Sequence, residues 1–255
     1  MNLRLEAGLA EGYSSNSQKA RVLTESWVAA NLYCPVCGNP KISHFPNNKE
    51  VADFYCPACG EQYELKSKNG KLGHKVADGA YATFVQRITD STNPDFLFMS
   101  YNLQDMMVHH LSFVPKFFFV PGIAEKRKPL SPNARRAGWI GCNILYDEIP
   151  LQGRISIIKD MKVIDRTIVQ ENVRRAFDMR VDNLESRGWL FDILHCVNGM
   201  ASAEFTLAEM YQYENVLEEN HPDNHNVRPK IRQQLQVLRD RGIIEFLGDG
   251  QYRKL

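Results

Sequence analysis

The sequence lacks the features that would mark several classes of protein. Its formal net charge is only +1, from 31 basic and 30 acidic residues, so overall charge points to no particular partner. No apolar run approaches the length of a membrane span, and residues 1–18 contain no apolar core of signal-peptide length. Repeats and low-complexity tracts are also absent. We therefore expect a cytoplasmic globular protein with no membrane partner.

Cysteine is scarce, with 6 in 255 residues, yet most of it is clustered. Two CxxC pairs are formed by Cys34, Cys37, Cys56 and Cys59. Without a secretion signal, this pattern favours a metal over disulfides, and the spacing C-x2-C-x18-C-x2-C is typical of a four-cysteine zinc site. Because protein fills all four positions, we predict a structural Zn²⁺. His44 lies between the pairs and could replace a cysteine, although a surface histidine is the simpler interpretation. Cys142 and Cys196 are interpreted as ordinary buried thiols.

A second pattern, Asp53, Glu64 and Lys66, surrounds the second cysteine pair. The segment QYELKSK alternates like a β-strand, so Glu64 and Lys66 share one face while the apolar residues pack behind. The two carboxylates and the backbone carbonyl of Leu65 would suit Mg²⁺, and the lysine would stabilise charge on a phosphate. Alone, D-x10-E-x-K is a weak signal that also fits a salt-bridged surface strand. Beside the cysteines, it predicts a catalytic centre preorganised by the structural metal.

The remainder of the N-terminal part predicts a mixed α/β core. Apolar residues at helical spacing indicate helices, and continuous apolar runs indicate buried strands of a mixed sheet. The predicted helices are SSNSQKARVLTESWVAANLY and DGAYATFVQRITD, and the predicted strands are PDFLFMSYNL and VHHLSFVP.

Residues 116–136 carry six basic residues against one acid and predict a basic surface loop. A solvated face and a DNA contact explain this charge equally well. The DNA-contact candidates here are Arg135 and Arg136, together with Trp139. The tryptophan fits an apolar wall in the major groove and an ordinary core position about equally.

Around residue 182 the pattern changes to helix, helix, helix and hairpin, which is the order of a winged helix. We therefore divide the chain into domains 1–182 and 183–255. The third helix turns Arg, Lys and Gln side chains away from its apolar face, and these can bond base edges or phosphates. Its candidate DNA contacts are Arg228, Lys230, Arg232, Gln233, Gln236 and Arg239. DNA is the favoured partner, although winged helices also bind proteins.

Stretches spread over both proposed domains carry a family resemblance. They include SNSQKAR, both CxxC pairs, VADFYC, ELKSK, DGAYAT, ARRAGWIGCN, KIRQQLQ and IIEF. In these the sequence resembles the DpnI-like family of methyl-directed restriction endonucleases. The resemblance implies an α/β (α+β) PD-(D/E)xK nuclease core with a four-cysteine zinc knuckle, followed by a winged-helix domain. It also implies Mg²⁺-dependent double-strand cleavage at GATC containing N6-methyladenine, with Asp53 and Glu64 as metal ligands and Lys66 as the catalytic lysine. Ala52 stands where the general motif has proline, a residue that shapes the backbone and does no chemistry.

Two functional hypotheses follow from different classes. The first is an endonuclease, expected as a monomer, that cuts double-stranded DNA at adenine-methylated GATC. The alternative is a zinc-containing winged-helix regulator that binds DNA without cutting it, in which Asp53, Glu64 and Lys66 are structural. The intact triad favours the endonuclease, because a regulator has no use for all three residues.

Overall fold

The computed structural model describes residues 1–45 and 52–255, so Val51, which opens the VADFYC stretch, lies outside the described residues. The helices are α1 (Asn16–Asn31), α2 (Tyr81–Thr89), α3 (Arg166–Phe177), α4 (Leu184–Gly199), α5 (Leu207–Met210), α6 (Glu214–Asn220) and α7 (Val227–Asp240). The strands are β1 (Ser43–His44), β2 (Phe54–Tyr55), β3 (Gln62–Asn69), β4 (Lys75–Ala80), β5 (Asp95–Asn102), β6 (Met107–Val114), β7 (Ala124–Lys126), β8 (Gly141–Leu145), β9 (Ile155–Lys159), β10 (Lys162–Val163), β11 (Glu204–Thr206), β12 (Ile244–Gly248) and β13 (Gln251–Lys254).

A mixed sheet in the order β1-β2-β3-β5-β6-β9-β10 forms the core of the N-terminal part. β3 and β5 run parallel, whereas the other neighbouring strands run antiparallel. Every residue of β5 except Asn102 is buried, so both faces of this apolar strand are covered. Helix α1 packs against β3 and α3 packs against β9. The predicted mixed α/β core is confirmed.

The segment DGAYATFVQRITD is only partly helical, which corrects the sequence prediction. Its first three residues end β4, and α2 begins at Tyr81. Strand β4 pairs antiparallel with β8, and β8 with β7, in a separate three-stranded sheet. Asp78 lies opposite Cys142 in this pairing. A partner strand far along the chain therefore decides the conformation here, and local periodicity carries no information about it.

The predicted basic loop of residues 116–136 is also corrected in part. Phe117, Phe118, Phe119 and Val120 are buried, because single turns of 3-10 helix fold this stretch onto the core. Lys116 itself pairs with Glu61, which lies between β2 and β3, at 2.8 Å. The exposed basic residues of this stretch begin at Lys126, the last residue of β7.

The C-terminal part has the predicted winged-helix order, except that a 3-10 turn at Tyr211–Tyr213 divides the predicted second helix into α5 and α6. Strand β11 joins the hairpin in a sheet of order β11-β13-β12. Thr206 and Glu209 form a capping box at the start of α5. The hairpin turn needs glycine, because Gly248 and Gly250 both have positive φ, at 99° and 73°.

The two parts share an apolar interface. The rings of Phe118 and Phe191 stack with centroids 4.7 Å apart, and both residues are buried. A pair of amides, Gln152 and Asn198, exchange hydrogen bonds beside them. Arg241, after α7, donates to the Met179 carbonyl at 2.6 Å.

Candidate active site and metal centre

The two CxxC pairs lie in turns with the same backbone pattern. Gly38 donates its N–H to the Cys34 carbonyl at 2.9 Å. In the second turn Gly60 donates to the Cys56 carbonyl, also at 2.9 Å. Both glycines have left-handed backbone conformations, with φ of 75° and 78°, that a side chain would strain. At Gly38 an added Cβ would also lie 2.2 Å from Nε2 of Gln170 on α3, so that side chain would have to move aside.

The four Sγ atoms of these cysteines all lie within 4.8 Å of one another. Those of Cys34 and Cys59 are 3.7 Å apart, and those of Cys37 and Cys56 are 3.5 Å apart. A tetrahedral Zn²⁺ with bonds of about 2.3 Å places its thiolates about 3.8 Å apart, so the donor set fits zinc. Burial opposes ionisation of Cys56, but the N–H groups of Cys59 and Ala58 stabilise its thiolate and lower its pKa to about 7.

The other candidate metal ligands of the sequence lie outside this cluster. His44 places Nε2 2.9 Å from Oε2 of Glu25 on α1, so it is a surface histidine bonded to a carboxylate. Cys142 and Cys196 are buried thiols of β8 and α4, as predicted.

The second cysteine turn is also the turn of the hairpin that carries the predicted acids. β2 pairs antiparallel with β3, and Asp53 extends the pairing by donating its N–H to the Tyr63 carbonyl at 2.9 Å. The Asp53 carboxylate then reaches across to β3, where Oδ2 accepts the N–H of Leu65 at 2.7 Å. A turn closed by Cys56 and Cys59 thus sets Asp53 beside the strand of the second acid.

Glu64 and Lys66 project from one face of β3 and form an ion pair. Lys66 also pairs with Asp78, which reaches it from β4 in the other sheet. Arg87 of α2 lies 3.7 Å from the second oxygen of Glu64. The side chains of Glu64, Lys66 and Asp78 are only 17%, 15% and 8% exposed, so this acid–lysine centre is largely shielded from water.

Asp78 and Arg87 also belong to the site, although no pattern in the sequence predicted them. Asp78 was assigned to a helix, whereas it lies on an edge strand that a different sheet brings to Lys66. The only signal for it was its position in DGAYAT, one of the stretches that carry the family resemblance.

The charges of the centre shift one another's pKa values. Burial raises the pKa of Glu64; Lys66 opposes the rise, while Asp78 and Asp53 add to it. Burial alone would lower the pKa of Lys66, but the carboxylates of Glu64 and Asp78 outweigh it and the pKa is raised. Lys66 is therefore a cation at neutral pH, suited to stabilising negative charge and not to removing a proton.

The candidate DNA contacts of α7 form its solvent face. Those that are exposed are Arg228, Arg232, Gln233, Gln236 and Arg239, and the buried face opposite includes Ile231, Leu235 and Leu238. Arg228 donates to both oxygens of Glu214 at 3.0 and 2.9 Å, and Arg232 donates to the Tyr211 hydroxyl at 2.7 Å. Lys230 differs, since it is half-buried with Nζ 5.9 Å from the ring centroid of the buried Trp189.

The remaining candidates lie on the loop before β8. Arg135 and Arg136 are exposed, and the guanidinium of Arg136 lies 4.3 Å from the ring centroid of Trp139. Trp139 is half-buried, which removes the interpretation as an ordinary core residue. Gly141 leaves room for the indole, since a Cβ there would lie 2.8 Å from it. The loop leads into β8, which pairs with the strand of Asp78, so it adjoins the acid–lysine centre.

The fold and site together define a class of protein: a mixed α/β core with a four-cysteine cluster, joined to a C-terminal helix–turn–helix domain of the winged type. Comparison with family models agrees for both parts. The model of the Dam-replacing family, DpnI, matches residues 1–181, and that of the Dam-replacing HTH domain matches residues 185–254. The chain belongs to the DpnI, or Dam-replacing, family, as the resemblance predicted. It is thus a restriction-system nuclease with a DNA-binding domain. None of its described helices is both long and apolar enough to cross a lipid bilayer.

Proposed function

We propose that this protein is a Mg²⁺-dependent type II endonuclease that cuts both strands of DNA at GATC containing N6-methyladenine. The observation that carries the proposal is the meeting of Asp53, Glu64 and Lys66 beside the cysteine turn, in a chain of this family. The enzyme acts as a cytoplasmic monomer in a defence system that leaves unmethylated host DNA intact. We place the boundary between its nuclease and winged-helix domains at residues 182 and 183.

Asp53, Glu64 and the Leu65 backbone carbonyl would hold the Mg²⁺, as a PD-(D/E)xK centre. These residues fit the ion, because they offer the oxygen ligands that Mg²⁺ prefers. Burial raises the pKa of Glu64, and the charges of Asp78 and Asp53 add to the rise, so a nearby cation would favour the ionised carboxylate. When bound, Mg²⁺ supplies positive charge for the phosphate in the transition state and activates a water. The ammonium group of Lys66, which is paired with Glu64, would stabilise the same negative charge developing on the phosphate. The four cysteines hold Zn²⁺ and keep the hairpin of Asp53 and Glu64 in one geometry.

DNA is held by two surfaces. The exposed arginines and glutamines of α7 contact phosphates and base edges, and Arg135 and Arg136 contact the backbone near the acid–lysine centre. Lys230 packs its ammonium group over the ring of Trp189 and adds positive charge at the edge of the α7 surface.

Burial of the methyl groups alone discriminates only weakly between methylated and unmethylated DNA. Burying one methyl group is worth about 0.8 kcal/mol, so the two methyls of a GATC palindrome give roughly 1.6 kcal/mol, or about fifteen-fold. A tight apolar wall adds a packing penalty for the unmethylated base, because the missing methyl leaves a void. The half-buried indole of Trp139, braced by Arg136, provides that wall. If the winged helix also recognises the methylated site, its preference for methylated over unmethylated DNA multiplies the preference of the nuclease core.

Digestion of one plasmid from two hosts tests the proposal. Plasmid from an adenine-methylating host should be cut at GATC in Mg²⁺ and spared in EDTA, whereas plasmid from a non-methylating host should stay intact.

Asp53→Ala and Lys66→Ala should abolish cutting while binding of the methylated site persists, since most affinity comes from other contacts. Glu61→Gln, on the same hairpin but paired with Lys116, is the matched control and should still cut. Cleavage by either triad variant at the wild-type rate would refute the assignment. Specific binding by the wild type with no cleavage in Mg²⁺ would identify a regulator.

A further inference from the structure

Asp78 occupies an unusual place beside the acid–lysine centre. It lies on β4 at an irregularity in the pairing with β8, where Asp78 faces Cys142 and Ala80 faces Gly141, leaving Gly79 as an extra residue. Such a bulge re-aims a neighbouring side chain. The carboxylate is 8% exposed and bonds Nζ of Lys66 on β3, so one ion pair joins the two sheets of the nuclease core.

Lys66 has two carboxylate partners, and only one of them is needed for the metal. Glu64 must serve both Lys66 and the Mg²⁺ of the proposed function, and Arg87 lies 3.7 Å from its other oxygen. Asp78 comes from a different strand and a different sheet from both proposed metal ligands. Its carboxylate therefore offers the ammonium a partner that does not depend on what else Glu64 binds.

Stability does not explain this second carboxylate. A buried ion pair loses so much hydration that replacing it with apolar groups of similar size is often neutral or stabilising. Cys142, directly opposite Asp78, is itself a fully buried thiol, so this end of β4 already packs against an apolar position. What Asp78 can still contribute is the position of the Lys66 ammonium group, because a misplacement of about 1 Å in a catalytic group can cost on the order of 100-fold in rate.

We propose that Asp78 is the positioning residue for Lys66: it fixes the ammonium group at the reacting phosphate while Glu64 serves the metal. This inference rests on the proposed function. It assigns to DGAYAT a role in the reaction, and it connects that reaction to the Trp139 loop, which leads into the strand paired with β4.

The test compares Asp78→Asn with Glu125→Gln in the full-length protein, on a duplex with one methylated GATC. Glu125 is the matched control, because it lies on β7 of the same sheet and pairs with a lysine, Lys75, away from the centre. Asp78→Asn should lower kcat by about 10- to 100-fold, with KM for DNA and the half-saturating Mg²⁺ concentration changed less than about two-fold. Asp78→Glu should recover part of kcat, and Glu125→Gln should match the wild type.

A second readout does not depend on cleavage. In protein loaded with Ca²⁺, the ammonium group of Lys66 should give a slowly exchanging NMR signal in the wild type and in Glu125→Gln. The signal should be lost in Asp78→Asn, because the group is then no longer fixed.

Three results would overturn the inference: a wild-type kcat in Asp78→Asn, a loss of kcat that excess Mg²⁺ restores, or an unchanged Lys66 signal. The second would make Asp78 a metal ligand. A wild-type protein that cuts no methylated DNA would instead defeat the proposed function, and the Lys66 signal would still decide the role of Asp78.

Discussion

Asp95, at the start of β5, is a buried acid outside the proposed chemistry. Its Oδ1 accepts the N–H of Lys116 at 2.8 Å, whereas Oδ2 has no hydrogen-bond partner among the described residues. Burial, helped by the nearby charge of Glu61, raises the pKa of Asp95 from 3.8 to about 7. The fold therefore favours the protonated acid.

Asp95→Asn should consequently change how stability depends on pH. Between about pH 4 and pH 7 the unfolded chain has released this proton while the folded protein keeps it, so the wild type loses stability as pH rises. The neutral amide escapes this loss and keeps the oxygen that accepts from Lys116. We expect the free energy of unfolding of the variant, relative to wild type, to increase by roughly 2 kcal/mol between pH 5.5 and pH 8, because the effect accumulates only up to the folded pKa of about 7. Urea denaturation at the two pH values measures it, and a difference that stays constant or falls would contradict the buried, protonated acid.

Trp139 carries the residue-scale prediction for specificity. Removing the indole opens the apolar wall proposed to face the methyl group, so Trp139→Ala should reduce the preference for methylated over unmethylated GATC by at least several-fold. Binding to DNA without GATC should change less, because it depends on phosphate contacts. Leu130→Ala, an exposed apolar change in the same loop, is the control and should preserve the preference. Competition binding measures the affinity for three duplexes, with methylated GATC, with unmethylated GATC and without GATC. An equal loss of affinity for all three would show that Trp139 does not recognise the methyl group.

At the scale of elements, local patterns predicted the parts of the fold whose structure is decided locally. The alternation in β3 placed Glu64 and Lys66 on one face, and the apolar spacing of α7 placed Arg228 and Arg232 on its solvent face, both as observed. The strand carrying Asp78 was missed, because its pairing with β8 joins segments far apart in the chain. Long-range pairing has no periodic signature, and it is what brings Asp78 to the acid–lysine centre.

The first cysteine turn and the acid-bearing strand β3 are joined by a contact that spacing does not predict. Tyr63, fully buried on β3, places its hydroxyl 2.9 Å from Sγ of Cys34, and the next residue along the strand is Glu64. A hydroxyl that donates to a zinc-bound thiolate stabilises the ligand, and such outer contacts are typically worth 10- to 100-fold in metal affinity.

Tyr63→Phe should therefore weaken zinc binding while the fold persists. We expect one zinc per wild-type chain and about 10-fold weaker binding in the variant, measured by transfer of the metal to a chromogenic chelator. Tyr33→Phe is the control, since the Tyr33 hydroxyl is buried without a hydrogen-bond partner in the described part of the chain. Equal zinc affinity in both variants would mean that the Tyr63 hydroxyl does not support the site, and purified active protein without zinc would remove the site itself.

Helix α7 carries the element-scale prediction for DNA binding. Each phosphate contact contributes about 0.9 to the slope of log K against log salt concentration, so Arg228→Gln with Arg232→Gln should flatten that slope by about 1 to 2. The smaller value applies if Glu214 keeps Arg228 partly neutralised. Arg174→Gln with Arg175→Gln removes the same charge from exposed positions on α3 and is the control. Fluorescence anisotropy in Ca²⁺ at several salt concentrations gives the slopes, and an unchanged slope in the α7 variant would place the DNA on another surface.

At the scale of the whole molecule, the nuclease core and winged helix are packed together and not simply tethered. The stacked rings of Phe118 and Phe191 would both be exposed if the chain were divided at the proposed boundary. Tests of recognition therefore belong on the intact chain.

The central claim is that one metal-dependent centre cuts DNA because its adenines are methylated. Its most direct test is single-turnover cleavage of three duplexes that are identical except for zero, one or two N6-methyl groups in one GATC, in Mg²⁺ and in EDTA. The account predicts fastest cutting of both strands in the doubly methylated duplex, at least about 100-fold slower cutting of the unmethylated one, and none in EDTA. Equal rates on all three duplexes, or cutting that persists without the divalent ion, would contradict it.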